Sequence, residues 1–312
     1  MTENSRKKVC ILGAGAMGCL YGGLLAENPS LDVCLVARDE EKASFLEKQG
    51  ILLTEGNCQR RIPVRSIPSG KCTFAPDHVI VLVKAHETRS AFYENRTLFT
   101  DRTFVLTLQN GLGGAQFLRE KISPRLFAAG ISRHNSTLLG PGSILHGGSG
   151  LTLAGAFSPE GEECVQAFLE LFRKSGIPTE AVADVRKALW EKLFVNLALN
   201  PLTMLYKVKN GKIAEDGALR REASLLVREA LTVARAEGIR TGSEEEVLLH
   251  VFNVARATAQ GCSSMLQDFL RGRKSEIDAI NGAVVALAEK HGLEVPCNRR
   301  IVARVHEAEK DF

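Results

Sequence analysis

The chain has 312 residues, 45% of them apolar and 24% charged, the make-up of an ordinary soluble globular protein with length enough for two cores. Its net charge of +4 comes without a block of like charges, which speaks against nucleic acid as a partner, and no window approaches the roughly 18 apolar residues of a membrane span. The eight cysteines are scattered, with no C-x-x-C and no histidine at metal spacing, which argues against a disulfide framework or a metal centre and for a reduced, cytoplasmic protein.

Residues 1–8 hold no apolar stretch of the signal-peptide kind and lead straight into a first strand at 9–12. Helical periodicity follows at 16–27, a second apolar run at 33–36, a second helix at 40–48, and further apolar runs at 79–83 and 104–108. Short apolar runs of this kind suit strands covered on both faces, and their alternation with helices predicts a doubly wound parallel sheet. Between about 126 and 157, glycines and serines punctuate β-prone pieces at 143–145 and 151–153, which predicts a small antiparallel extension at the sheet edge. Strand signals end near 184. Helical periodicity then runs through 185–199, 219–237, 244–259, 265–270, 276–291 and 298–309. The expected fold class is α/β, with an N-terminal Rossmann-type doubly wound sheet over 1–184 and an all-helical C-terminal domain over 185–312.

Between the first strand and the first helix stands Gly13-Ala14-Gly15-Ala16-Met17-Gly18, a G-x-G-x-x-G turn. The first glycine permits the tight turn, the second lets backbone N–H groups approach a pyrophosphate, and the third lets helix and strand pack closely. Strand, turn, helix and next strand follow within about thirty residues, the setting in which this motif binds a dinucleotide on a helix N-terminus. Arg38 stands at the tip of the second strand, where NAD-binding chains usually place an acid for the ribose 2′-hydroxyl. Its guanidinium suits a 2′-phosphate, so NADPH is the expected cofactor. The plainer alternative is a solvated Arg38 beside an Asp39 that only caps the next helix.

The runs at 79–83 and 104–108 end in Lys84-Ala85 and Gln109-Asn110-Gly111, placing Lys84 and Asn110 at the edge where open α/β sheets bind ligands. In the second half, Lys192, Asn196 and Asn200 fall at i, i+4 and i+8 on one face of an otherwise apolar helix, and Pro201 should end or kink that helix. A lysine so placed can protonate a carbonyl oxygen and stabilise the developing alkoxide. A solvated polar stripe is the alternative for Asn196 and Asn200. Ser264 with Gln267 also reads as a capping box, and Glu276 also reads as an exposed acid in a first helical turn.

The whole order of motifs resembles the ketopantoate reductase (2-dehydropantoate 2-reductase) family. The resemblance is carried by Lys192-Leu193-x-x-Asn196 with Asn200-Pro201-Leu202-Thr203, by Ser263-Ser264-Met265-Leu266-Gln267-Asp268, by Glu276-Ile277-Asp278 with Ile280-Asn281-Gly282, and by Gly140-Pro141-Gly142 with His146. It implies NADPH-dependent reduction of ketopantoate to pantoate on the route to pantothenate. Gly13, Gly15, Ala16, Met17, Gly18 and Arg38 would hold the cofactor, with Lys84 and Asn110 near the nicotinamide. Lys192 would be the general acid, supported by Glu276. Asn110, Asn196, Asn200, Asn210 and Ser264 would hold the substrate. Gly261, where some members carry asparagine, and the segment 131–136 depart from the family pattern. These departures keep open a reductase of another small 2-keto acid, and a non-catalytic NADPH-binding sensor is the further alternative. Apolar helical faces in the second domain are compatible with a homodimer.

Overall fold

The computed structural model describes residues 6–310 and 312. The chain divides into two compact units. One runs to Gln109 and resumes over Gly114–Val185; the other takes the short segment Asn110–Gly113 and everything from Arg186.

The first unit is built on β1 (Lys7–Leu12), β2 (Leu31–Ala37), β5 (Arg65–Pro68), β6 (His78–Val81), β7 (Phe104–Thr107), β8 (Phe127–Ser132), β11 (Thr152–Gly155) and β12 (Thr179–Ala181), in the order β12-β11-β8-β7-β6-β1-β2-β5. The strands from β5 to β8 are mutually parallel, with β1 at their centre pairing Val9 to Val33 on one side and to His78 on the other. Alternate side chains of β1 serve opposite faces. Val9 and Ile11 pack with Leu20 and Leu25 of α1 (Ala16–Ala26) and Phe168 and Phe172 of α5 (Glu162–Lys174). Cys10 and Leu12 pack with Phe92 of α3 (Thr88–Glu94) and Leu118 of α4 (Gly113–Lys121). Helices on both faces explain why these strands read as continuous apolar runs. α2 (Glu40–Gln49) leads out of β2, its N-terminus capped by Asp39. Burial pushes the thiols of Cys34 and Cys164 up to about 12, so both behave as small hydrophobes.

A second sheet corrects the expectation for 126–157. β3 (Ile51–Glu55) and β4 (Cys58–Ile62) form a hairpin, β9 (Asn135–Gly140) and β10 (Ser143–Gly148) form another, and β10 lies parallel to β3. From this stretch β11 extends the main sheet antiparallel, on β8, and β12 continues that edge parallel to β11. Helix α1 lies between the two sheets and is apolar all round for that reason. A Cβ at Gly22 would stand 2.9 Å from Leu35, and one at Gly23 would stand 3.2 Å from Ile62 of the second sheet.

The second unit is all helical: α6 (Val185–Tyr206), α7 (Gly211–Glu215), α8 (Gly217–Ala236), α9 (Glu244–Ala257), α10 (Ser264–Phe269), α11 (Asn281–Lys290) and α12 (Pro296–Ala308). Its core gathers Trp190, Phe194, Leu197 and Leu202 of α6 with Leu226 and Leu231 of α8 and Ile301 of α12. Helix α6 neither ends at Pro201 nor stops at 199. Proline has no N–H to give the Leu197 carbonyl, and Asn281 Nδ2 donates to that oxygen instead, at 3.1 Å. Asn281 is fully buried and also donates to Asn298 Oδ1 at 3.0 Å.

The residues just before Asn281 show why 276–291 is not one helix. A 3₁₀ turn at Ile277–Ala279 precedes Ile280, whose backbone leaves helical geometry before α11 begins. Among the described residues, no helix is long and apolar enough to cross a membrane.

Candidate active site

In the first unit the site residues converge on the carboxyl edge of β1, β2 and β6. Gly13 has φ +110°, and a Cβ there would lie 2.6 Å from Val83 N, so the turn is pressed against the chain leaving β6. A Cβ at Gly18 would strike the Gly13 carbonyl oxygen at 1.7 Å. Gly15 is different: no protein atom comes within 4 Å of its Cβ position. Two of the three glycines serve packing, and the middle one leaves open space in front of the helix. Gly15 is also the N-cap of α1, without a side-chain cap and without an acid in the first turn. The N–H groups and positive dipole end there are left for an anion. Ala16 opens the helix, its carbonyl held by Ser136 Oγ at 3.0 Å, and Met17 is half-buried beside it. The site thus fits a dinucleotide pyrophosphate.

Arg38 is 74% exposed and pairs with Glu87, 27% exposed. Asp39 accepts from Lys42 N at 2.8 Å, so it is a helix cap as its position in the sequence allowed. Lys84 is half-buried at the start of the 3₁₀ turn Ala85–Glu87. That turn is fixed by Gln109, which sequence reasoning did not single out. Gln109 Nε2 donates to Val83 O and to Thr88 Oγ1, each at 2.8 Å, and its Oε1 accepts from Thr107 Oγ1 at 3.0 Å. Thr88 in turn donates to Ala85 O at 2.8 Å.

In the second unit the segment Asn110–Gly113 lies on the turn before α11. Asn110 Nδ2 donates to Glu276 Oε2 at 3.3 Å, and Leu112 N donates to Ala279 O at 3.2 Å. Glu276 is 8% exposed and stands before the 3₁₀ turn, so it is not the solvent-facing acid of a helical first turn. On α6, Lys192 and Asn196 are half-buried and Asn200 is buried. The solvated-stripe alternative does not hold for Asn200.

The α10 cap is displaced by one residue from the expected capping box. Ser263 is the cap, accepting from Leu266 N at 3.1 Å and sharing a 2.7 Å hydrogen bond with Thr203 of α6. Gln267 Nε2 turns back to Cys262 O. Ser264, exposed at the first helical position, keeps its hydroxyl out of the cap. Asn210 sits beside the departure from the family pattern: its N–H donates to Gly261 O at 3.0 Å and its Nδ2 to Thr258 Oγ1 at 3.1 Å, while its Oδ1 is buried without a partner. The structure therefore brings Asn110 to Glu276, and Asn210 to Gly261.

Two family models cover these features. Residues 9–159 match Ketopantoate reductase PanE/ApbA, and residues 184–309 match its C-terminal model. A 2-dehydropantoate 2-reductase of Pyrococcus horikoshii is 34% identical over 306 residues, 97% of each chain. The chain belongs to the ketopantoate reductase family. Among solved structures, a PanE/ApbA family ketopantoate reductase from Ralstonia eutropha JMP134 superposes with a TM-score of 0.87 at 31% identity, covering 97% of this chain and 99% of that one. A D-mandelate dehydrogenase solved with NADH and anilino(oxo)acetate reaches a TM-score of 0.92 over 97% and 98% of the two chains. Its 23% identity makes that a likeness of fold. As a ketopantoate reductase family member, the chain is an oxidoreductase of the pyridine-nucleotide class with the Rossmann-type and helical units described above.

The second departure, at 131–136, has a structural account. His134 Nδ1 lies 3.0 Å from His146 Nε2, and His146 Nδ1 lies 2.7 Å from Glu55 Oε1. Arg60 and then His146 hold the Glu55 carboxyl below its usual range. His134, just before β9, is thus linked through buried His146 of β10 to half-buried Glu55 of β3, and so serves the second sheet.

Proposed function

We propose that the protein reduces 2-dehydropantoate to pantoate with NADPH, Lys192 acting as general acid. The observation that carries the reading is the face of α6, where a half-buried ammonium and two carboxamides stand among the core residues Leu193, Phe194, Leu197 and Leu202. Curated relatives named for this reaction, about one-third identical over nearly the whole chain, support the substrate.

The uncapped N-terminus of α1 and the open Gly15 would receive the pyrophosphate, and Arg38 the 2′-phosphate. The bound nicotinamide supplies the hydride. Lys192 would deliver a proton to the keto oxygen and offset the charge that develops there. The Asn110–Glu276 contact would fix the acid's orientation, and Asn196, Asn200 and Ser264 would hold the substrate's hydroxyl and carboxylate. A different small 2-keto acid is the second reading, favoured by Gly261, beside which Asn210 Oδ1 is buried without a partner.

The test is NADPH oxidation across a panel of 2-keto acids, with wild type and Lys192→Ala. Ketopantoate should give the highest kcat/KM, and the variant should lose about a hundredfold or more in kcat. Faster turnover of another keto acid would replace the substrate. Undiminished turnover in a folded Lys192→Ala would remove the general acid, and binding of NADPH without turnover of any panel member would leave a sensor.

A further inference from the structure

The Arg38 guanidinium does not wait alone at the tip of β2: the Glu87 carboxylate is its partner. We infer that Glu87 is a second cofactor-specificity residue, an acid on an anchored turn that competes with a 2′-phosphate for Arg38 and accepts a hydrogen bond from a 2′-hydroxyl. The inference rests on the reading of Arg38 given above.

The two partners differ in how firmly they are held. Glu87 ends a turn in which its N–H donates to Lys84 O at 2.9 Å and its carbonyl accepts from Ser90 Oγ at 3.0 Å. The next residue, Thr88, is 3% exposed and is bolted through Gln109 to the end of β7. Arg38 is a long side chain, mostly in solvent, with no such anchor among the hydrogen bonds of the described residues. When the pair opens, the long arginine side chain swings away while the turn that carries Glu87 stays.

Two other acids near this tip are occupied. Asp39 caps α2, and Glu40 pairs with Lys71 at 3.1 Å. An exposed ion pair is weak enough to be exchanged for a doubly charged phosphate, which forms a stronger fork with the guanidinium. That exchange leaves Glu87 unpaired next to the phosphate, a like-charge contact that NADH does not create. With NADH the pair can stay closed while the carboxylate accepts from the ribose hydroxyl, the role usually given to an acid at the end of the second strand. Arg38 thus favours NADPH, and Glu87 tempers that preference from a different strand connection.

The experiment measures dissociation constants of NADPH and NADH by fluorescence titration, at one fixed ionic strength, for wild type, Glu87→Gln and Arg38→Ala. Glutamine keeps the shape and removes the charge. Glu87→Gln should tighten NADPH about fivefold, the scale of one charge–charge contact in a solvent-exposed site, while NADH stays equal or weakens. An unchanged NADPH-to-NADH ratio in Glu87→Gln, with Arg38→Ala still selectively weakening NADPH, would overturn the role of Glu87 alone. Equal losses for both cofactors in Arg38→Ala would overturn the reading of Arg38 on which it rests. An unchanged melting temperature in Glu87→Gln shows that the comparison is between folded proteins.

Discussion

Replacing Asn281 with leucine should destabilise the helical unit, and removing Pro201 should partly restore it. In the native chain Asn281 supplies the hydrogen bond to Leu197 O that proline at 201 cannot supply, and another to Asn298 Oδ1. Asn281→Leu leaves both acceptors buried without those donors, at about 1–3 kcal/mol each. Asn281 Oδ1 is itself buried without a partner, so its removal returns a cost of similar size. The net loss is about 1–3 kcal/mol. Pro201→Ala in that background gives position 201 an N–H aimed at Leu197 O, recovering the cost of one acceptor, whereas in the native background this oxygen already has its donor. The two changes should therefore couple by about 1–2 kcal/mol. Trp190, the chain's one tryptophan, is 3% exposed on α6, so its emission during urea unfolding reports on this unit. Strictly additive effects, or a neutral Asn281→Leu, would refute the account of how α6 passes through its proline.

Ser263→Ala should cost about 1 kcal/mol through loss of the α10 cap, whereas Ser264→Ala should leave stability within about 0.5 kcal/mol and raise KM for the keto acid about tenfold. Urea melts and steady-state kinetics separate the two, and the reverse pattern would return Ser264 to the cap. His78 lies buried between Phe104 and Phe168 with neither ring nitrogen partnered, and burial, aided by Lys7 against Asp77 and Glu170, lowers its pKa from 6.5 to about 4. The unfolded chain then binds the extra proton between those values, so this contribution is complete above the free histidine pKa and declines as pH falls toward the folded one. The loss should be about 2 kcal/mol near pH 5. His78→Phe should flatten the pH dependence of the urea midpoint by that amount; an unchanged slope would show that His78 is not its source.

What could be read from the sequence was what neighbours in the chain decide. The glycine turn and Arg38 stand within one βαβ unit, and i, i+4, i+8 spacing alone puts Lys192, Asn196 and Asn200 on one face. Gly56-Asn57 between β3 and β4 was also a hairpin signal of this local kind, but the strands it joins are too polar on one face to stand out as buried runs. The rest depends on distant partners. Helix α6 continues because of a side chain 84 residues away, and Arg38 meets an acid 49 residues away. Ser263 is chosen over Ser264 as the cap with a hydroxyl from α6 bonded to it.

These distant contacts bear on function in one direction. A proline four residues after the carbonyl of Leu197 would break an isolated helix beside Asn200, and Asn281 keeps Asn200 on the same helix as Lys192. The polar face proposed to hold the keto acid is therefore only as continuous as the Asn281 hydrogen bond. This also sets an order among the tests: kinetic losses in Asn281→Leu should fall on kcat and KM together, as expected when a binding face is disturbed as a whole. Lys192→Ala should fall on kcat, and a pattern in which Asn281→Leu spares both constants while destabilising the unit would separate the continuity of α6 from catalysis.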